Sequence, residues 1–578
     1  MNKFQENAKR KYSGPPQLSP PPGETHVVFN QPCPLEPYNA YLSDTALKHW
    51  VKVFGGDWHR DALSEYGEKV GSSLYEAGFV ANKFKPEFKS HDRFGKRIDQ
   101  VDYHPAYHQL MDSGITAGHH SLPWTNRRMG AHVARSALAY MHTQADPGSG
   151  CPLTMTFASV PAISHEPDLA ALWLPKITAE IYDPRNIPFF EKKGLTIGMA
   201  MTEKQGGSDV RANTTRAYPI NDDGPGRSYE LHGHKWFCSA PMCDAFLVLA
   251  YSHDSTREST GLSCFLMPRW RPDGTKNQIF FQRIKDKMGN VSNASGEVEY
   301  RGAFAWMIGP EGRGVRTIIE MVSMTRFDCM VGSSAIMRQA LAQAVHHSGG
   351  REAFGKNLHQ QPLMKNVLAD LALESEAVLA ISMRVAHSLD IIQNDPKNRH
   401  EHLLSRIATA IGKYWICKRS AQFTYECMEC IGGVGVVEDN ILPRLYRESP
   451  INAIWEGSGN IQCLDVLRVL NKNPSVLESF IAELGLASGR FQDFDCFVND
   501  LPEEFSDTKS LEFRARTVVE KLAIAWQAST LIQFADPVVA QAFMASRISR
   551  PHAQYYGTLP EGIDCDYLIR RVFDPAGL

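Results

Sequence analysis

Two stretches of this 578-residue chain hold side chains suited to chemistry. In "INAIWEGSGNIQCLDVLRVL", Ile451 to Leu470, Glu456 stands between a tryptophan and a Gly-Ser-Gly turn that opens a helix. A dry neighbour raises a carboxyl pKa toward neutrality, as a general base requires, while N–H donors at a helix start oppose that shift. On these residues alone, Glu456 reads equally well as a helix-start acid favoured by the dipole. In "MAMTEKQGGSDVRANTTRA", Met199 to Ala217, Gly206 and Gly207 permit close backbone approach, and Thr202 and Ser208 offer hydroxyls to a polar or anionic ligand. By itself that pattern is also an ordinary strand-to-loop turn.

The elements that must position these residues follow from periodicity. From Leu42 to Ile181 apolar residues recur three and four apart, which predicts helices. From Gly194 to Phe304 short β-branched and aromatic runs such as "YELHGHKWFCS" and "AFLVLAYS" alternate with turn clusters such as "NDDGPG", which predicts an antiparallel β domain. Long helical segments return from Gly312 to Leu470 and imply a bundle. The division expected is a disordered tail over 1–25, an N-terminal helical domain over 26–193, a β domain over 194–304, a four-helix bundle over 305–472 and an extra helical region over 473–578.

Composition narrows the function classes. With 61 basic and 64 acidic residues, the chain has no global attraction for nucleic acid or an anionic membrane. The last hundred residues hold more acidic than basic side chains, so no basic duplex-binding face is announced there. No run of eighteen apolar residues spans a bilayer. Twelve scattered cysteines point to a reducing compartment, and the expected location is intracellular, cytoplasmic or mitochondrial. Cys427–Cys430, His119–His120 and His346–His347 lack the partners of a metal site and are expected to be structural.

The ordered motifs "MTEKQGGSD", "GHKWFCS", "DKMGNVSNAS", "REAFGK", "ECIGGVGVVEDNILPRLYRE" and "IWEGSGNIQ" resemble those of the acyl-CoA dehydrogenases over roughly residues 110 to 470. Gly435 and Glu456 are 21 residues apart, and Arg326 and Arg351 are 25 apart, as in the family pattern. "FNQPCPLEPYNAYLSD", "GMAMTEKQGGSDV", "MTRFDC" and the extra C-terminal region resemble the AidB-type branch, associated with the alkylation response.

The resemblance implies an α+β fold: an N-terminal helical domain, a central antiparallel β domain and a C-terminal helical bundle. It implies FAD as cofactor, with Met201 and Thr202 against the flavin ring. Gly207 and Ser208 meet the pyrophosphate, and Ser208 also meets substrate. Phe237, Cys238 and Ser239 form the segment beside the ring, Ser239 near N5. Ser458 and Asn460 complete the site from the turn after Glu456. Arg351, Phe354, Gly432 and Gly433 are lent to a neighbouring subunit's FAD, which implies a homo-oligomer, expected as a dimer of dimers. Glu456 is the implied base, Arg326 supports substrate and base, and Thr325 stands where some relatives carry the base instead. The implied substrate is an acyl-CoA thioester; the electron acceptor is not readable.

Pro362, Glu429, Lys204 and Gln205 depart from the family pattern. Three activities compete at this point: a dehydrogenase of a medium to long or unusual acyl chain, an AidB-type flavoprotein that binds DNA or detoxifies alkylating agents, and an acyl-CoA oxidase.

Overall fold

The computed structural model describes residues 22–254, 257–549 and 555–578; most of the tail expected over 1–25 lies outside these residues. The N-terminal part runs through helices from Thr45–Val53 to Pro167–Ile177. Two of them frame the site: α1 (Ala131–Ala145) and α2 (Pro147–Ile163). α1 is buried on nearly every face, which fits a helix packed inside a larger core. This part is mainly helical, as expected, with one exception. Glu87–His91 (β1) and Arg97–Asp102 (β2) form an antiparallel hairpin. Its residues are mostly polar, so a helical reading of the apolar positions passed over it.

The β domain comprises β3 (Ile197–Ala200), β4 (Arg216–Pro219), β5 (Ser228–Ser239), β6 (Ala245–Asp254), β7 (Arg257–Pro268), β8 (Ile279–Ile284) and β9 (Ser295–Ile308). The strand order is β3-β6-β4-β5-β9-β7, and β7 pairs back onto β6, so five strands close on themselves and leave β3 and β8 appended. Pairing is antiparallel except that β3 and β4 both run parallel to β6. The interior, with Phe246, Phe265, Leu231 and Ala303, also takes in apolar residues of α2 such as Phe157.

Four helices form the next layer: α3 (Gly314–Gly350), α4 (Pro362–Asn394), α5 (Arg399–Ile431) and α6 (Gly459–Lys472). Asn398 caps α5 by accepting from the Glu401 N–H, and Gly432 ends it at φ 76°, a conformation glycine adopts without a Cβ penalty. The C-terminal region is continuous with this bundle. From α7 (Ala515–Phe534), Leu522 and Trp526 enter the same core as Ile336 and Ile411. A buried Arg384 bridges Glu401 of the bundle and Glu483 of the C-terminal region at 2.9 and 2.7 Å. The final turn is tied to the beginning of the described chain, where Asn39 N–H donates to Gly577 O at 2.8 Å.

Candidate active site

Glu456 follows a single helical turn, Ile451–Ile454, and adopts φ 58°, in the left-handed region that favours glycine. Such a backbone persists only where its surroundings hold it. Arg326 Nε donates to Glu456 O at 2.9 Å, and Gln462 Nε2 donates to Glu456 O and Gly457 O at 3.1 and 3.0 Å. Beneath the turn, the buried Lys413 donates to Asn452 O, Trp455 O and Gly457 O at 3.0, 2.8 and 2.8 Å. Arg326 is held in turn by Asp465 at 2.9 Å, and Arg406 takes the other Asp465 oxygen at 2.8 Å. Burial raises the Asp465 carboxyl, but the Arg406 hydrogen bond and the surrounding guanidinium charges outweigh it and leave that group ionised.

The Glu456 carboxylate accepts from Thr325 Oγ1 at 2.8 Å. Burial raises the Glu456 carboxyl above its ordinary value; the Thr325 hydroxyl and the Lys413 and Arg326 charges offset only part of that rise. This is the balance of a carboxyl tuned toward general-base work. Thr325, at the position where some relatives carry the base, has a hydroxyl that cannot serve as one and instead donates to Glu456. Lys413 lies in no motif, and Gln462 and Asp465, although inside the Ile451–Leu470 stretch, were given no role by the sequence.

A second wall comes from the β domain. Glu203, inside "MTEKQGGSD", is fully buried and paired with Lys235 at 2.9 Å. It also accepts from the Thr214 and Thr215 hydroxyls at 2.9 and 2.6 Å. Burial pushes the Glu203 carboxyl up, yet the Lys235 charge and the threonine donors prevail and hold it well below the usual carboxylate range. Burial pulls the Lys235 ammonium down to about 8 against the pull of Glu203. This pair shapes the turn that presents Met201, Thr202 and the exposed Ser208. Trp236 N–H donates to Thr202 O at 2.8 Å and joins the turn to β5. Gly207 is required sterically, since a Cβ there would lie 2.5 Å from Thr202 Oγ1.

Along β5 the side chains alternate. Phe237 is 43% exposed, Cys238 is buried in the β core, and Ser239 lies partly open. Cys238 turns its side chain into the β core, which leaves its peptide group as the part that could face the site. Ser239 Oγ is 3.0 Å from Ser295 Oγ, to which Lys287 Nζ donates at 3.1 Å. Burial draws Lys287 down to about 8. An exposed aromatic ring among the hydroxyls of Thr202, Ser208 and Ser239 fits a flat, polar-edged cofactor such as a flavin.

The loop "DKMGNVSNAS" brings the two walls together. Asn290 N–H donates to Glu448 at 2.7 Å, eight residues before Glu456, and Ser292 Oγ donates to Asp146 at 2.8 Å at the start of α2. Cys151, on α2, feels the charges of both Lys287 and Glu456, and burial pushes its thiol up to about 12.

Four of the expected residues stand elsewhere. Arg351 follows α3, and 25 residues of helix place it about 37 Å from Arg326. Phe354 is 98% exposed, and Gly432 and Gly433 open onto free space. Arg351 donates to Asn30 O, and Asn30 also bonds both backbone groups of Glu352 at 2.8 Å. Ser458 and Asn460 lie at the start of α6 beside Glu456.

Among the described residues no helix is long and apolar enough to cross a membrane, and no cluster of metal-ligating side chains occurs.

Comparison with known proteins adds three domain matches. Residues 30–184 match the adaptive response protein AidB N-terminal domain, 198–303 the acyl-CoA dehydrogenase middle domain and 312–471 the acyl-CoA dehydrogenase C-terminal domain. The chain is 45% identical to AidB of Escherichia coli (strain K12), over 90% of this chain and 94% of that protein. It is 31% identical to acyl-CoA dehydrogenase family member 11 of Caenorhabditis elegans, over 77% and 72%. Among solved structures, Caenorhabditis elegans ACDH-11 in complex with C11-CoA superposes with a TM-score of 0.81 at 26% identity, covering 95% of this chain and 93% of that one. The apo form of Bd2924 superposes at 0.79 with 29% identity, covering 88% and 100%.

Proposed function

The chain belongs to the acyl-CoA dehydrogenase family, in its AidB-type branch, and on that premise we propose that it is an FAD-dependent oxidoreductase that desaturates an acyl-CoA between its α and β carbons. The observation that carries this reading is Glu456: a carboxyl raised by burial, oriented by Thr325 and fixed on a left-handed turn by Arg326 and Gln462. The complex of ACDH-11 with C11-CoA supports a medium to long acyl chain as the substrate class.

Bound FAD supplies the acceptor for the hydrogen that leaves the β carbon as hydride. The protein residues do the rest. Glu456 takes the α proton, and burial, by raising its carboxyl above the ordinary value, makes it a stronger base than an exposed glutamate. The Glu456 N–H makes no hydrogen bond among the described residues and is free to polarise the thioester carbonyl. Arg326 holds the Glu456 carbonyl and keeps the turn from relaxing. Met201, Thr202, Ser208, Phe237 and Ser239 line the flavin, with Ser208 also touching the acyl-CoA. Arg351, Phe354, Gly432 and Gly433 complete the FAD site of a second copy, which makes the working form at least a dimer and accounts for the exposure of Phe354.

The test is product formation. The FAD-loaded protein is incubated with acyl-CoAs of graded chain length, under nitrogen with an artificial electron acceptor and separately in air. Mass spectrometry showing loss of two hydrogens with the artificial acceptor supports the dehydrogenase. Peroxide formed stoichiometrically in air moves the assignment to an oxidase. No enoyl product from any chain length refutes the proposal and leaves a flavoprotein of the alkylation response as the better reading.

A further inference from the structure

The C-terminal region has no part in the site as described, yet it supplies one wall of a cavity beside it. A space of about 340 Å³ lies between α5, the Glu456 turn and α7, lined among others by Lys418, Ser458, Gly459, Asn460 and Arg516. Its size is at the lower end of small-molecule sites. Its chemistry is one-sided: the lining holds two cations and no carboxylate. Lys418 and Arg516 form no ion pair among the described residues, although most cations near this site are paired, Arg326 and Arg406 with Asp465 among them.

Three further features point the same way. Arg516 Nε donates to Asn460 Oδ1 at 2.9 Å, which leaves the two terminal nitrogens of its fork unengaged. Ser458 is the N-cap of α6 without a side-chain hydrogen bond to that helix, so its hydroxyl is uncommitted. A Cβ on Gly459 would lie 3.4 Å from Lys418 Cδ, so the lysine stem lies over the turn. Two unpaired cations and a free hydroxyl around a cavity make a phosphate receptor.

We propose that Arg516, reaching from the C-terminal region, acts with Lys418 and Ser458 to bind the phosphate-bearing adenosine half of FAD. The site rests on the reading of the chain as a flavoprotein and gives the C-terminal region a function in it: to close the cofactor site from the side opposite the β domain. The bundle helix and the C-terminal helix then share one ligand, and cofactor binding ties the region to the bundle.

The experiment is a titration of flavin-stripped, full-length protein with FAD, followed by fluorescence quenching. It compares wild type, Arg516→Gln, Lys418→Gln and Arg516→Lys, and records the melting temperature of each apo chain. The site predicts that Arg516→Gln weakens FAD binding about tenfold, the scale of one charge-assisted contact. Lys418→Gln weakens it less, Arg516→Lys recovers most of the loss, and all apo chains melt alike. FAD affinity unchanged in Arg516→Gln overturns the site, as does a loss that lysine fails to recover. Weakened acyl-CoA binding with intact FAD binding also overturns it and assigns the cavity to the substrate. A wild-type chain that takes up no FAD refutes the proposed function together with this site, whereas failure confined to the variants' behaviour leaves that function standing.

Discussion

The Glu456 turn and the Arg351–Phe354 segment are opposite cases of how one chain presents site residues. Around Glu456 the turn is held from several sides: Thr325 holds the carboxylate, Arg326 and Gln462 hold the carbonyl, and Asp465 holds Arg326. Around Phe354 nothing is enclosed, and a large apolar ring is left 98% exposed at φ 53°. Large exposed apolar groups mark contact surfaces, and strained backbone is found where function requires it. The difference teaches that the acid–base half of the site is enclosed within one chain, whereas the Arg351–Phe354 segment is left open, as the proposed cofactor site shared with a second copy requires.

That contrast can be broken from either side. Among effects on cofactor binding the largest is expected from Arg351→Gln, which should weaken FAD binding about thirtyfold, the scale of a hydrogen bond to a charged group, and leave the melting temperature of the apo chain unchanged. A Kd equal to wild type would remove Arg351 from the cofactor site. Next, Arg326→Gln should slow flavin reduction by acyl-CoA about tenfold, or 1.4 kcal/mol, by freeing the Glu456 carbonyl. FAD affinity should stay the same, and stopped-flow absorbance measures both.

A stability effect comes third, and its sign follows from linkage. The Glu456 carboxyl is raised in the folded state, so the unfolded chain ionises first and folding becomes less favourable as pH rises above the ordinary value of 4.5. Glu456→Gln removes that cost. The variant should melt higher than wild type at pH 7 and the same as wild type at pH 4, by calorimetry; equal melting at both would mean the carboxyl is not raised. The smallest effect is expected from Thr325→Val. Losing the hydroxyl that stabilises the carboxylate should move the acid limb of the rate profile to higher pH and cost about threefold in rate at pH 6. A profile superposable on wild type would show that Thr325 does not orient the base.

Legibility in the sequence followed the same division. Glu456, Arg326, Thr202 and Ser208 were visible because each lies in a short motif at fixed spacing. The contacts that hold them were not: Lys413 lies in no motif, and the meetings of Glu203 with Lys235 and of Arg326 with Asp465 join residues 32 and 139 positions apart, which no local pattern reports. Cys238 could have been placed by the alternation of β5 alone, with Phe237 outward and its neighbour inward. The β1–β2 hairpin escaped notice because its strands bury few side chains, and hydrophobic periodicity reports burial. An extra helical region over 473–578 was expected, but its sharing of one core with the bundle depends on packing partners such as Trp526 and Gly412, whose meeting no window of sequence shows.

The central claim, that Glu456 is the base completed within one chain, is tested most directly by anaerobic flavin bleaching. Wild type and Glu456→Gln, both loaded with FAD, are mixed with the acyl-CoA that wild type turns over best, and the visible flavin absorbance is followed. The account predicts rapid bleaching by wild type and a rate about a thousandfold lower in the variant, with FAD still bound. Bleaching of Glu456→Gln at the wild-type rate would contradict it.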